Sequence, residues 1–385
     1  MPGILLRRMV GRDPAERHRA STPLELLFDL CFVVAVAQAA AQLHHALAAG
    51  HAGSGLLGYL LVFFAIWWAW VNFTWFASAY DTDDVPYRLL TLVQIAGGLV
   101  LAAGVPAAFE HYDFGTVVAG YVIMRLAMVG QWLRVARQDP AGRPAALRYC
   151  VGIVIVQAGW IARLWAPGPW AWVSFGALAV ADMAVPMWAE YRGARTAWHP
   201  GHINERYGLF TLIVLGESVS AATVAIQAAV TGHGLSTGLA VTAASGLVLL
   251  FGLWWSYFKH EATEELRVSL GTAVVWAYSH YPIFAALAAV GAGLEVAAGR
   301  GRAVPSGHDR GEMPCTTLPS SAVPPTRSWR RRSASTWRCR CTRAGSAASP
   351  TTASKCSCRP TAGSATCSWC SRWSRRYRSI WSSCC

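Results

Sequence analysis

Apolar residues in this chain come in long runs broken only by short polar or turn-forming segments, a pattern too continuous for the half-buried helices of a water-soluble fold. Runs bounded by charges, Gly or Pro fall near 24–43, 56–79, 89–109, 114–134, 149–166 and 170–189, and a second set near 207–229, 237–258 and 271–297. About 20 largely apolar residues wound as a helix cross the roughly 30 Å of bilayer hydrocarbon, about twice what a barrel strand needs. Backbone amides in hydrocarbon must also be satisfied within the segment. The pattern therefore predicts an all-α polytopic transmembrane helical bundle of about nine spans.

Composition agrees, because 54% hydrophobic residues, 19 tryptophans and only 14% charged residues in 385 are more apolar surface than a soluble fold hides. The formal charge of +13 suggests nucleic acid until it is divided along the chain. Residues 1–302 carry 19 Lys+Arg against 18 Asp+Glu, and residues 303–385 carry 14 against 2. Three parts follow: a basic cytoplasmic leader at 1–22, the transmembrane domain at 23–299, and a basic Ser/Arg/Cys-rich tail at 300–385 expected to be disordered. The leader lacks a small-residue cleavage site before its full-length apolar run, so the first helix reads as a retained anchor. Only Cys31 and Cys150 lie in the body, so no disulfide framework holds it.

Short cytoplasmic loops collect Lys and Arg. With the N-terminus inside, 15 of those 19 basic residues fall on the inner side, whereas the outer loops near 44–54, 110–113, 167–169 and 231–236 hold none. Arg125 and Arg163 fall within spans.

The tail has no acidic residue after Glu312 and no apolar run of span length, the composition of a GC-rich gene read in a shifted frame from about residue 300. The competing reading is a zinc- or RNA-binding tail built on Cys339 with Cys341, Cys356 with Cys358, and Cys367 with Cys370, but the spacing between pairs fits no familiar finger. A weak internal similarity pairs the run around Trp67 and Trp68 with that around Trp254 and Trp255. If it is a true repeat, it implies a twelve-span, two-half design of which this chain carries a truncated form.

Three motifs carry candidate chemistry. In "TPLELLFDLCFVVAVAQ", Glu25 and Asp29 lie one turn apart on one helix face, and Thr22 with Glu25 has capping-box spacing. In "ERYGLFTLIVLGESVSAATVA", Glu205 and Arg206 sit at the inner mouth of the seventh span and Glu217 near its centre. A lone carboxylate at mid-bilayer costs at least a few kcal/mol, so it must pair, protonate or face a wet cavity. Arg125 and Asp182 lie at similar depth, and Arg125 is expected to pair with Glu217 or Asp182. The third set is Trp254, Trp255, Tyr257 and His260 with His280, whose imidazole can pass protons near neutral pH but is more often satisfied by a neighbouring helix. No phosphate-binding loop, dinucleotide glycine pattern or nucleophile elbow is present, which weighs against an enzyme.

The blocks "STPLELLFDLCFVVAVAQ", "ERYGLFTLIVLGESVSA", "WWSYF" and "YSHYPIFAALAAVGAGLE", in that order over about residues 17–297, resemble the bacterial low temperature requirement A family. The resemblance implies a multi-pass bacterial inner-membrane protein whose family name records growth in the cold. On the family pattern Glu25, Asp29, Glu205, Arg206, Gly216, Glu217, Trp255, Tyr257 and His280 carry over, and the chain departs from it after about residue 300, where further helices are expected.

The leading expectation is transport of a small solute or ion, proton-coupled in one version, along a polar path of Asp29, Glu217, Arg125 and Asp182. An integral membrane enzyme or cofactor binder using His280 and the carboxylates is the alternative, and a structural stress-adaptation factor the third. The bilayer is the expected partner and nucleic acid is not. No cofactor and no oligomeric state can be read from the sequence.

Overall fold

The computed structural model describes residues 5–13, 16, 19–190, 196–234, 236–259 and 263–300, together with a two-residue antiparallel pairing of Arg340–Cys341 with Cys356–Ser357. The remainder of the tail lies outside the described residues. The helices are α1 (Pro23–Ala48), α2 (Ala52–Tyr80), α3 (Val85–His111), α4 (Gly115–Gln138), α5 (Arg143–Arg163), α6 (Trp170–Ala189), α7 (Pro200–His233), α8 (Thr237–Phe258), the single short turn α9 (Thr263–Val268) and α10 (Leu270–Arg300). Among the described residues, nine helices are long and apolar enough to cross a membrane, and α9 alone is too short. The protein is an all-α polytopic bundle.

Local chemistry sets the helix starts. Thr22 and Glu25 close a reciprocal capping box ahead of α1; the Asp84 and Ser236 side chains accept from Tyr87 N and Leu239 N. α7 starts earlier than its apolar run because His199 caps it by accepting from His202 N and Pro200 occupies the first turn. α5 instead stops at Arg163, ahead of the Pro167–Pro169 turn, in which Gly168 takes φ +51. Arg163 is therefore at a helix end and not deep in a span.

α2 is the central helix: Trp67 and Trp68 are 1% exposed and Trp70 is 0% exposed. α6 and α8 are peripheral and present Val180, Val248 and Phe251 outward, as suits a lipid-facing surface. The aligned Trp pairs thus stand in unlike places, since Trp254 is 45% exposed and Trp255 69%. α3 and α4 cross closely at Gly97 and Gly120, where a methyl group on Gly120 would lie 2.6 Å from both Gly97 O and Leu101 N. Small residues at such crossings let helix backbones approach in hydrocarbon, where apolar burial offers little drive to associate.

The described residues of the leader are folded onto the bundle. Met9 is fully buried, Met9 N donates to Gln138 Oε1 (2.7 Å), Arg12 N to Ala79 O (3.0 Å), and Arg19 reaches Ser78 O and Ala77 O at the end of α2. Arg134 pairs with Asp84, which also accepts from Arg7 N at 2.8 Å. Burial pushes the Asp84 carboxyl up, but Arg134 and the Arg7 and Tyr87 amides outweigh it and hold it at about 2. Asp81 ends the other way: burial and the nearby Glu25 charge push it up to about 6 against Arg19 at 3.8 Å.

Candidate functional site

Two acids one turn apart on α1 face two bases one turn apart on α7. Glu25 meets His202 Nε2 at 3.3 Å and Arg206 Nη1 at 3.3 Å, while Asp29 accepts from Arg206 Nη2 (2.5 Å) and Nε (3.2 Å) and from Trp70 Nε1 (2.7 Å). Arg19 adds a second guanidinium, 3.6 Å from Glu25. Glu25, Asp29, His202 and Arg206 are all fully buried. The matched spacing requires α1 and α7 to run parallel, as helices of the same transmembrane sense do. Each charge has a partner, which is what makes ionised groups tolerable at such a depth. Glu205, one position before Arg206, points elsewhere and accepts from Ser21 N at 3.1 Å.

A second polar centre lies among α2, α4, α5 and α6. Arg125 Nη2 donates to Asp182 Oδ1 (2.9 Å) and Nη1 to Asn72 Oδ1 (2.8 Å), and Trp160 Nε1 donates to Asp182 Oδ2 (3.0 Å). Of the two partners the sequence leaves open for Arg125, the structure places Asp182 beside it.

Cavities flank this pair in order along α6. One of about 330 Å³ opens at the end remote from the leader, lined by Phe114, Arg163 and Trp172. One of about 20 Å³ follows, sharing Phe114 and bounded by Phe175, Trp160 and Asp182. Beyond the pair, one of about 40 Å³ runs from Trp68 and Asn72 to Glu190 and Thr196. The two inner spaces are of water size, since about 10–15 Å³ suffices for one water. The Arg125–Asp182–Asn72 bridge thus interrupts a line of cavities spanning the length of α6.

Glu217 is separate from both centres. It lines a cavity of about 200 Å³ with Ser218, Ser220 and Glu295, and Glu295 faces His44 at 3.2 Å. His280 is held by Tyr257 Oη (3.1 Å) and Trp276 O (2.8 Å) and stacks edge-on to Tyr207, so its neighbours satisfy it. Trp255 turns away from that set toward the bundle surface.

The sequence model of the bacterial low temperature requirement A protein (LtrA) matches residues 20–331. The chain belongs to the LtrA family. The match continues past residue 297, where the motif resemblance stops. An uncharacterized protein of Rhizobium meliloti (strain 1021) is 26% identical over 305 residues, which is 71% of this chain and 68% of that protein. No solved structure matches.

In this LtrA chain the family blocks converge in part: Glu25 and Asp29 meet Arg206, and Tyr257 meets His280, while Arg125 and Asp182 form a centre outside those blocks. Arg19, Trp70, Asn72, Trp160 and His202 are contributors that the sequence reading did not single out. His202 was findable, being one turn before Arg206 as Glu25 is before Asp29. Asn72 and Trp160 carry no such signal, because only the packing of α2 and α5 brings them to Arg125 and Asp182. Among the described residues no group of three or more His, Cys, Asp or Glu is arranged to hold a metal ion.

Proposed function

We propose that this LtrA chain moves a small solute or ion across a bacterial inner membrane, with the leader on the cytoplasmic side, and that the Arg125–Asp182 pair is the central gate. The observation that carries this reading is the pair's position between two water-sized cavities on one line, with Asn72 and Trp160 orienting it. An ion pair that served only to order helices has no need of solvent-sized space on either side. The Glu25, Asp29, His202 and Arg206 cluster is closed on all sides and serves as the scaffold against which the line works. Glu217, at its own cavity between α1, α7 and α10, is the site where a coupling proton would be taken up.

The test is flux in vesicles reconstituted with the full chain and challenged with a panel of small anions, cations and neutral solutes. Saturable flux that Asp182→Asn abolishes, at unchanged protein incorporation, is the expected result. Flux that survives Asp182→Asn unchanged would remove the gate, and no flux for any solute would favour a structural factor.

A further inference from the structure

The line of cavities has a chemical bias. At its mouth remote from the leader, Arg163 is the cation, and it is held in an unusual way. Its Nε donates to Ala171 O (3.2 Å), and its guanidinium carbon lies 5.0 Å from the ring centres of Phe114 and Phe175 and 5.9 Å from that of Trp160. Among the described residues no carboxylate lies within ion-pair distance of it. Rings hold a guanidinium by their faces and leave its in-plane N–H groups free to donate. The adjoining space of about 330 Å³ is lined by Tyr112, Phe114 and Trp172 with Asp113 at its rim, so it offers a cation beside aromatic walls. Sites of this size that bind small molecules are mostly apolar with a few placed polar groups. Asp113 lies on the rim of the same cavity, where its Oδ1 accepts from Gly115 N at 2.9 Å, and it is beyond ion-pair distance of Arg163.

The space inward of Arg163 is bounded by Phe175, Trp160 and Asp182, with Arg125 held behind Asp182. Phe175 and Trp160 touch both stations: they flank Arg163, and Trp160 also donates to Asp182. A negatively charged group moving inward from Arg163 meets the Asp182 carboxylate before it meets Arg125, so the place that receives an anion is the mouth itself.

We propose that the solute is a small organic anion with a flat apolar body, received by Arg163 at the outer mouth. The proposal rests on the transport reading above but is tested apart from it, by binding. Benzenesulfonate keeps its charge at all working pH values and does not cross bilayers as a neutral acid, so it is the probe. It is titrated calorimetrically into the full chain in non-ionic detergent, alongside trimethylphenylammonium, benzyl alcohol and a short-chain phosphatidylglycerol.

Saturable binding of benzenesulfonate alone, weakened at least about tenfold in Arg163→Gln and less in Arg163→Lys, is the expected result. Equal binding of trimethylphenylammonium or benzyl alcohol would overturn the anion assignment, as would unchanged benzenesulfonate affinity in Arg163→Gln. Binding of the phosphatidylglycerol without benzenesulfonate would also overturn it, making Arg163 a lipid-headgroup contact. Arg163 is at a half-exposed helix end, and an unchanged unfolding temperature of Arg163→Gln verifies that the variant is folded. Benzenesulfonate binding without flux of any solute would sink the transport reading and leave the anion site standing; flux of cations alone would do the reverse.

Discussion

At the scale of single residues, the central question about Asp29 is whether it works or only holds. Its two oxygens are taken by Arg206 and Trp70, and it is 0% exposed. Removing one partner of such a pair leaves the other charge buried and uncompensated, a loss of about 3–5 kcal/mol, whereas replacing both by apolar residues of similar volume is often neutral. Asp29→Asn is therefore expected to lower the unfolding temperature of the detergent-solubilised protein sharply, and Asp29→Leu with Arg206→Met to recover most of the loss. A double variant as unstable as the single one would contradict the closed, structural reading of the cluster. The sequence shows that Glu25 and Asp29 share a helix face, because helical periodicity is local. It does not show that Asp29 is sealed by Trp70, because that depends on how α2 packs across α1.

At the scale of elements, the runs of apolar residues define nine helices with small errors at the ends, since length and continuity of hydrophobicity are what a bilayer selects. The errors have causes: α7 is longer because His199 and Pro200 cap it ahead of the apolar run, and α5 ends earlier, at Arg163, because the Pro167–Pro169 turn forces an exit. Helix pairing is less legible, for in hydrocarbon it follows small residues and polar contacts more than hydrophobic pattern. The α3–α4 crossing shows this. Gly120→Ala would force a methyl group to within 2.6 Å of backbone atoms of α3, so both helices must move apart. Overpacking of this kind costs about 1–3 kcal/mol, and a lowered unfolding temperature is the check; a variant as stable as the parent would mean that the helices do not approach so closely.

At the scale of the whole molecule, the leader read as a basic appendage is a strap across the helix ends, and its electrostatics make stability depend on pH. Asp81 has a folded value of about 6 against an ordinary 3.8, so between those values the folded protein holds a proton that the unfolded chain has released. Its contribution therefore falls as pH rises through that window, by on the order of 3 kcal/mol at pH 7. Asp81→Asn, which can still accept from Asp83 N, is expected to match the parent near pH 4 and to exceed it increasingly up to pH 7, measured by thermal unfolding across that range. A constant difference would remove the assignment. Asp84, held at about 2, works oppositely: the stability it gives is present above its ordinary value and is lost as pH falls toward 2. Neither effect is visible in sequence, where Asp81, Asp83 and Asp84 form one acidic run. The matched charges of α1 and α7 limit how the molecule can move. Sliding one helix past the other by a turn, about 5.4 Å, would leave Arg206 or Asp29 without its partner. The two helices must travel as a single splined shaft, and on the transport function proposed above any opening at Arg125 falls to α4, α5 and α6 swinging against it.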